Sequence, residues 1–211
     1  MNSESLYRDL CEIYPVSRET FHKLEIYVDQ LKKWQKKTNL IANSTVDDIW
    51  HRHVADSLQS IAIRPEARKW VDIGSGGGFP GLVIAACMSE HTNSSVTLVE
   101  SNSKKTAFLR QARRQMGANA KVITARIEDA VGEVVSPEIV TARALSSLSN
   151  LLELSSRWLT NGATALFHKG REYEQEIRET DGLWTFDLVN HKSRISADSV
   201  VLEISNLKRQ T

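Results

Sequence analysis

The segment with the clearest chemical potential is a glycine-rich stretch from residue 74 to residue 81. It holds five glycines in eight residues and follows the apolar segment Val71-Asp72-Ile73. Glycine permits positive φ values and close approach of the backbone to a ligand. An apolar helical pattern begins directly after the stretch, and the free N–H groups of a helix N-terminus attract anionic groups. These features predict a nucleotide-type cofactor at Gly74, Gly76 and Gly78.

Two carboxylates near this stretch bear on the choice of cofactor. The run from Gly76 to Gly81 satisfies the GxGxxG pattern, and Glu100 stands 19 residues beyond Gly81, so an NAD-dependent oxidoreductase stays an alternative. Asp72 precedes the first glycine by two residues. There its carboxylate would hold the ammonium group of a methionine moiety, directly or through water, and would repel a pyrophosphate. Glu100 would accept hydrogen bonds from ribose hydroxyls of either cofactor. Asp72 therefore favours S-adenosylmethionine, whereas Glu100 supports a nucleoside without choosing between the two cofactors.

A basic stretch is the second chemical feature of the sequence. Residues 101–126 carry seven Lys or Arg and no Asp or Glu, although the net charge of the chain is only +1. Such clustering is typical of an anion-binding surface, and a solvated helix neutralised by acidic neighbours is the alternative. We expect anionic groups to contact its side chains together with four lysines of an N-terminal helix. The residues are Lys104, Lys105, Arg110, Arg113, Arg114, Lys32, Lys33, Lys36 and Lys37.

The elements that must position these residues form two groups. Residues 1–65 are helical in pattern, with Ser17 as the cap of one helix and a second helix starting after Ser44 or Thr45. From residue 70 onward, short apolar strands alternate with helices, which predicts an α/β fold with a mostly parallel sheet and helices on both faces. The predicted strands are 70–73, 96–100, 120–124, 139–142, 163–168, 183–189 and 199–204. The predicted helices between them are 80–89, 103–116, 127–133, 147–158 and 172–180.

Composition excludes several classes of protein. Hydrophobic residues at 41% and charged residues at 25% are ordinary for a globular chain. Cys11 and Cys87 form no CxxC pair and the histidines show no ligand spacing, so neither a metal site nor a disulfide framework is indicated. No apolar run is long enough to cross a bilayer, and the opening residues lack the pattern of a secretory signal. We expect a cytoplasmic monomer without membrane contact.

Five separated blocks of the sequence resemble the bacterial small-subunit ribosomal RNA guanine-N7 methyltransferases, the RsmG or GidB family. The blocks are 72–81, 100–105, 52–58, 141–144 and Lys169-Gly170, within a resemblance that runs from about Leu31 to Gly170. Ile41 departs from the family pattern, where threonine is usual. The resemblance implies a Rossmann-like S-adenosylmethionine-dependent methyltransferase domain, residues 66–211. An N-terminal helical extension, residues 1–65, precedes this domain in the chain. It also implies methylation of N7 of one guanine in 16S rRNA, either free or within the small subunit or an assembly intermediate.

The resemblance further implies which residues form the site. It assigns cofactor contacts to Gly74, Phe79, Ile127, Glu128 and Arg143. Arg143 directly follows predicted strand 139–142, at the edge of the sheet where ligands of open α/β sheets bind, so we expect it to align cofactor and substrate.

With RNA as the substrate that the resemblance implies, RNA phosphates are the anionic groups expected at the basic stretch and the four lysines. The remaining candidates also concern RNA. Arg52 and His53 precede Asp56 and Ser57 by one helical turn, a cluster that by itself is typical of a structural hydrogen-bond network. The resemblance adds a role in positioning RNA or closing the cofactor pocket. Lys169 and Arg171 are further candidate RNA contacts.

The absence of two motifs limits which atom of a base the protein could methylate. Methylation of an exocyclic amine commonly uses an Asp/Asn-Pro-Pro-Tyr/Phe motif, but all four prolines are isolated. Methylation of cytosine C5 requires a cysteine nucleophile, and Cys87 lies within an apolar helical pattern. Guanine N7 has a free lone pair and loses no proton on attack, so no general base is predicted. Two alternatives stay open from the residues alone: an NAD-dependent oxidoreductase and a noncatalytic RNA-binding protein.

Overall fold

One sheet of seven strands organises the described part of the chain, residues 3–134 and 136–210 of the computed structural model. The strands are β1 (Lys69–Ile73), β2 (Ser95–Glu100), β3 (Lys121–Thr124), β4 (Ile139–Arg143), β5 (Thr164–Lys169), β6 (Trp184–Lys192) and β7 (Val200–Arg209). Their order across the sheet is β3-β2-β1-β4-β5-β7-β6. Strands β1 to β5 pair in parallel, and β7 runs antiparallel to both of its neighbours. The prediction of a mostly parallel sheet is therefore confirmed.

Helices cover both faces of this sheet. They are α1 (Ser3–Ile13), α2 (Arg18–Gln35), α3 (Asp56–Ile63), α4 (Gly81–Met88), α5 (Ser103–Gln115), α6 (Ile127–Ala130), α7 (Leu148–Leu159) and α8 (Tyr173–Arg178). Successive side chains of a strand point to opposite faces. Accordingly, Trp70 of β1 packs in the apolar cluster of α1 to α5, whereas Val71 packs in the cluster of α6 and α7. No helix in the described ranges is long and apolar enough to span a membrane.

The second N-terminal helix is less regular than the sequence pattern predicts. Residues Asn43–Asp48 form a 3₁₀ turn and Trp50–Ala55 form a π-helical segment before α3 begins at Asp56. The Ser57 hydroxyl donates a hydrogen bond of 2.6 Å to the His53 carbonyl inside this wider turn. π-Helical turns occur frequently at functional sites, and this one carries Arg52 and His53.

The N-terminal helices share a core with the sheet. Ser17 caps α2 as predicted, since its side chain accepts a hydrogen bond of 3.0 Å from the Thr20 N–H. The Tyr27 hydroxyl of α2 donates to the Gly77 carbonyl at 2.5 Å, and its ring lies 5.1 Å from that of Phe79. Helix α2 of the extension thus holds the glycine-rich stretch in place through the Tyr27 side chain. A domain division at residue 65 stays a prediction, and its outer ends, residues 1 and 211, lie outside the described residues.

Gly81 at the start of α4 offers a test of this packing. A Cβ there would overlap the Leu98 side chain and lie 2.6 Å from the Asp72 carboxylate. We expect Gly81→Ala to lower the free energy of unfolding by about 1 to 3 kcal/mol, the usual cost of overpacking. Gly132→Ala is the matched control, because nothing lies within 4 Å of its Cβ position. Equal unfolding midpoints of the two variants in denaturant titrations would contradict this close packing.

Candidate cofactor and substrate site

A cavity of about 750 Å³ opens at the edge of the sheet where β1, β2 and β4 end. The glycine-rich stretch forms one wall, and residues 39–42 with Thr45 and His53 of the extension also line the cavity. Seven of the nine predicted cofactor residues line it. They are Gly74, Gly76, Phe79, Glu100, Ile127, Glu128 and Arg143.

Glu100 connects two of the elements that line the cavity. One carboxylate oxygen accepts a hydrogen bond of 2.9 Å from the Gly76 N–H, and the other accepts one of 2.8 Å from the Asn102 N–H. The Asn102 side chain in turn caps α5 by accepting from the N–H groups of Lys104 and Lys105. Glu100 is only 8% exposed. Its carboxylate therefore holds the glycine-rich stretch and the start of α5 in register with each other.

Asp72 and Gly78 lie outside the cavity lining, so the structure does not support direct cofactor contacts from them. Asp72 points to the same face of β1 as Trp70, beneath α4, and is 1% exposed. Its Oδ1 atom accepts a hydrogen bond of 2.9 Å from the Thr141 hydroxyl, and burial raises the pKa of this carboxyl to about 6. Gly78 faces the extension, since a Cβ there would lie 2.9 Å from the Tyr27 hydroxyl.

Arg143 ends β4 between the cavity and the extension. Its Nη2 atom donates a hydrogen bond of 2.7 Å to the Arg52 carbonyl, and its Nε atom lies 3.5 Å from Asp56 Oδ2. Its Nη1 atom is buried and has no hydrogen-bond partner among the described residues. Burial lowers the pKa of Arg143, while the Asp56 carboxylate opposes that change. The guanidinium is thus held in place on two sides with one donor left unpaired.

His53 forms part of the cavity wall rather than an outer RNA contact. Its ring stacks on Phe79 at 4.8 Å between centroids, and its Nε2 atom lies 2.8 Å from the Thr45 hydroxyl. Burial, together with the nearby Arg143 charge, lowers the pKa of His53 to about 3. The ring is therefore neutral at ordinary pH. Of the two RNA candidates on this segment, Arg52 alone is exposed.

The basic side chains of α5 join those of α2. The Trp34 ring lies 5.7 Å from the Phe108 ring, which places the C-terminal end of α2 against α5. We call the combined group the basic surface, and it consists of Lys32, Lys33, Lys36, Lys37, Lys104, Lys105, Arg110, Arg113 and Arg114. None of these side chains forms an ion pair with an acidic residue in the described ranges.

The side chains of the basic surface differ in their exposure and in their hydrogen bonds. Lys105 lines the cofactor cavity, and Lys104 and Arg114 are exposed. Arg110 donates a hydrogen bond of 2.6 Å to the Thr124 hydroxyl. Arg113 is half-buried. The alternative of a helix neutralised by acidic neighbours therefore finds no support.

Lys169 and Arg171 are already paired within the chain. Lys169 is 8% exposed, and its Nζ atom lies 2.5 Å from Glu176 Oε2 and donates to the Ser146 carbonyl at 2.7 Å. Arg171 is exposed but lies 2.7 Å from Asp198. Lys169 as an RNA contact stays a prediction, and its ammonium group is already held by Glu176 of α8 and the Ser146 carbonyl.

Sequence reasoning missed the contribution of the segment between α2 and the π-helical turn. Asn39, Leu40, Ile41 and Ala42 line the cavity, and the Gln35 side-chain oxygen accepts hydrogen bonds from the N–H groups of Leu40 and Ile41. The segment has no glycine motif or charge pattern that would single it out. The only signal was the departure at Ile41 from the family pattern.

Comparison with known proteins places this geometry in a family. The family model for GidB, rRNA small subunit methyltransferase G, matches residues 20–202. The chain belongs to the rRNA small subunit methyltransferase G family. A curated member, the ribosomal RNA small subunit methyltransferase G of Brucella ovis, is 48% identical over 212 residues that cover 100% of both chains.

Solved structures agree with the family assignment at the level of fold. A variant of MtNAS in complex with S-adenosylmethionine matches with a TM-score of 0.57 at 14% identity, over 86% of this chain and 72% of that one. The precorrin-6y C5,15-methyltransferase of Geobacter metallireducens matches with a TM-score of 0.52 at 14% identity, over 79% of this chain and 90% of that one. The predicted Rossmann-like methyltransferase fold is therefore confirmed.

Proposed function

We propose that this protein transfers a methyl group from S-adenosylmethionine to N7 of a specific guanine in 16S rRNA. The observation that carries the proposal is the cavity of about 750 Å³ at the ends of β1, β2 and β4, which the glycine-rich stretch and Glu100 line and the basic surface adjoins through Lys105. Membership of the rRNA small subunit methyltransferase G family supports the RNA class and the reaction. The likeness to a fold solved with S-adenosylmethionine supports the cofactor.

The cavity fits a cofactor of this kind. Its volume lies within the range of small-molecule sites, roughly 300 to 1,000 Å³. Gly74 and Gly76 have positive φ values of 66° and 51°, so the backbone can approach a ligand without a Cβ in the way. Arg143 also lines the cavity with a side chain that is 18% exposed, which adds a cationic group to the wall. When bound, S-adenosylmethionine supplies an electrophilic methyl group.

The chain's own residues then need only hold and align the reactants. Glu100 and the glycine-rich stretch position the nucleoside part, with Ile127 and Glu128 beside them. Arg143 aligns cofactor and guanine from the end of β4. The His53 ring, neutral because its pKa is about 3, closes the wall next to Phe79 and is a poor proton acceptor. Attack by N7 releases no proton, so proximity and exclusion of water account for the rate.

The proposal also includes the RNA partner, the oligomeric state and the location of the protein. The basic surface would contact RNA phosphates, which makes binding salt-dependent and largely independent of sequence. The target would be reached in free 16S rRNA, in the small subunit or in an assembly intermediate, and the protein would act as a monomer in the cytoplasm.

Charge reversal on the basic surface tests the RNA contact. We expect Lys104→Glu combined with Arg114→Glu to weaken RNA binding and to reduce the slope of log affinity against log salt by about one unit per lost contact. Affinity for S-adenosylhomocysteine should stay at the wild-type value. The control is Arg157→Glu combined with Lys192→Glu, which reverses two exposed charges elsewhere. RNA affinity that falls equally in both double variants would contradict a specific role of the basic surface.

The reaction itself is tested by incubating the protein with rRNA and methyl-labelled S-adenosylmethionine. Label in small-subunit RNA supports the proposal. A thermal shift with NADH but none with S-adenosylhomocysteine would favour the oxidoreductase alternative. RNA binding without label, in protein that binds S-adenosylhomocysteine, would favour a noncatalytic RNA-binding role.

A further inference from the structure

A second cavity of about 180 Å³ adjoins the cofactor cavity. The two cavities share Arg143 and Ala144, so the end of β4 forms the wall between them. Besides these two residues, the second cavity is lined chiefly by Arg52, Asp56, His168, Lys169 and the segment around Ser196 and Ser199. At about 30 Å³ per water molecule it holds about six waters, a space near the size of one purine base.

The backbone of the shared wall is strained. Ala144 has a φ of +50°, in the left-handed region that residues with a Cβ rarely adopt. Such strain costs roughly 1 to 3 kcal/mol and concentrates at binding and catalytic sites. Ala144 lies between the two cavities. Its left-handed backbone conformation turns the chain sharply at the place where a base and a cofactor would meet.

Asp56 is the one carboxylate among the described residues that line the second cavity. Its Oδ1 atom accepts a hydrogen bond of 2.8 Å from Gln59, and its Oδ2 atom lies 3.3 Å from His168 Nδ1 and 3.5 Å from Arg143 Nε. Burial raises the pKa of Asp56, but the neighbouring His168 and Arg143 outweigh this effect and keep the pKa below its ordinary value. The carboxylate is therefore a fixed anion with acceptor capacity left over.

His168 is held on its other side, which fixes the whole group. The ring Nε2 atom lies 2.8 Å from the Ser60 hydroxyl in the buried interior of α3. The chain from Ser60 through His168 to Asp56 keeps the carboxylate oriented toward Arg143. Asp56 is 13% exposed, so the exposed part of its side chain faces the cavity it lines.

This arrangement complements guanine. On its Watson–Crick edge guanine offers two donors, N1–H and N2–H, beside one acceptor, O6. We propose that the second cavity holds the base of the target guanine, with the Asp56 carboxylate accepting from N1–H and N2–H and a guanidinium at the shared wall donating to O6. This inference rests on the proposed function. Because N7 is next to O6 on the purine ring, the same placement brings N7 to the wall of the cofactor cavity.

A phosphate group suits the second cavity less well. Arg52, Arg143 and Lys169 line the cavity and would attract it. Lys169 is already paired with Glu176, however, and the Asp56 anion lies in the same small space and would repel a phosphate. Flipped bases are commonly recognised through their Watson–Crick edge, and a carboxylate is the acceptor that distinguishes guanine from adenine there. A phosphate occupant is kept as an outcome of the test.

The test compares two short oligoribonucleotides that contain the methylated site, one with guanosine and one with inosine at the target position. Inosine keeps N7, O6 and N1–H but lacks the N2 amine. We expect wild-type protein to methylate the guanosine RNA about tenfold or more faster in single turnover, since the lost hydrogen bond is to a charged group. Asp56→Asn should reduce this ratio below about threefold, because the amide offers a single acceptor.

The ratio does not depend on how much of a variant is folded, since both RNAs meet the same protein. Asp181→Asn is the control, an exposed carboxylate away from both cavities, and should keep the wild-type ratio. Binding of both RNAs with S-adenosylhomocysteine present is measured in parallel, so a slow variant still gives a ratio.

Three results would overturn the inference. If wild type methylates the guanosine and inosine RNAs at nearly equal rates, the protein does not recognise the N2 amine. An Asp56→Asn ratio equal to that of wild type removes Asp56 from recognition, and tighter binding of both RNAs by this variant would assign the cavity to a phosphate. If wild type methylates neither oligoribonucleotide, the ratio of their affinities with S-adenosylhomocysteine present decides in place of the rate ratio. Failure to methylate free 16S rRNA and the small subunit as well would contradict the proposed function itself.

Discussion

Replacing Arg143 with alanine should lower the single-turnover rate of methyl transfer about 100-fold or more at every pH between about 6 and 8.5, the scale of a misplaced reacting group. Arg143 lines both cavities and is fixed by the Arg52 carbonyl and Asp56. Its loss would therefore disturb alignment without removing a proton acceptor. Arg143→Lys should recover only part of the rate, because an ammonium group cannot contact both partners in the planar geometry of a guanidinium.

The pH profile separates alignment from proton transfer. The pKa of His53 is about 3 and that of Asp56 lies below its ordinary value, so neither group titrates in this window. The wild-type rate should thus show no obligatory deprotonation step. A steep rise in rate with pH that disappears in His53→Asn, with RNA and cofactor affinities preserved, would reveal a general base and contradict the alignment role.

Replacing Gly76 with valine should reduce affinity for S-adenosylhomocysteine about 100-fold or more. Gly76 has a φ of +51° and donates its N–H to Glu100, and the nearest atom to a Cβ there is 3.7 Å away. The protein itself leaves room for the side chain, so a valine would occupy space needed by the cofactor. Calorimetric titration measures the loss, which exceeds the roughly 2.7 kcal/mol that corresponds to a factor of 100.

Backbone strain needs its own control in this experiment. Gly117 has a φ of +64° with nothing within 4 Å of its Cβ position, and it lies outside the cavity. Gly117→Val therefore carries the same conformational penalty without entering the site. If both variants bind S-adenosylhomocysteine as wild type does, the glycine-rich stretch does not hold the cofactor. Equal loss in both would attribute the effect to strain.

The order of strands and helices could be predicted because its causes are local. Predicted strand 96–100 is β2, Ser95–Glu100, and predicted helix 103–116 is α5, Ser103–Gln115. Hydrophobic periodicity and capping residues are properties of short segments, so a single sequence contains them. Strands β6 and β7 extend beyond their predicted ends, since their pairing with each other continues to Lys192 and Arg209.

The differences between the predicted site and the structure arise from side-chain direction, which short segments do not reveal. Asp72 stands next to the glycine-rich stretch in sequence, but strand alternation turns it beneath α4. Lys169 is predicted to contact RNA, but its ammonium group also pairs with Glu176 of α8, which the sequence pattern does not show. Asp56 and His168 are separated by 112 positions, and only the packing of α3 on β5 brings them together. The second cavity therefore could not be predicted from the sequence.

The most direct test of the central claim is the position of the methyl group. RNA that carries N7-methylguanine is cleaved at that nucleotide after borohydride reduction and aniline treatment. We expect 16S rRNA treated with wild-type protein and S-adenosylmethionine to show one new cleavage site, absent without cofactor and strongly reduced with Arg143→Ala. Methyl label on the RNA without cleavage, placing the group on another atom, would contradict N7 methylation, and so would cleavage at many guanines.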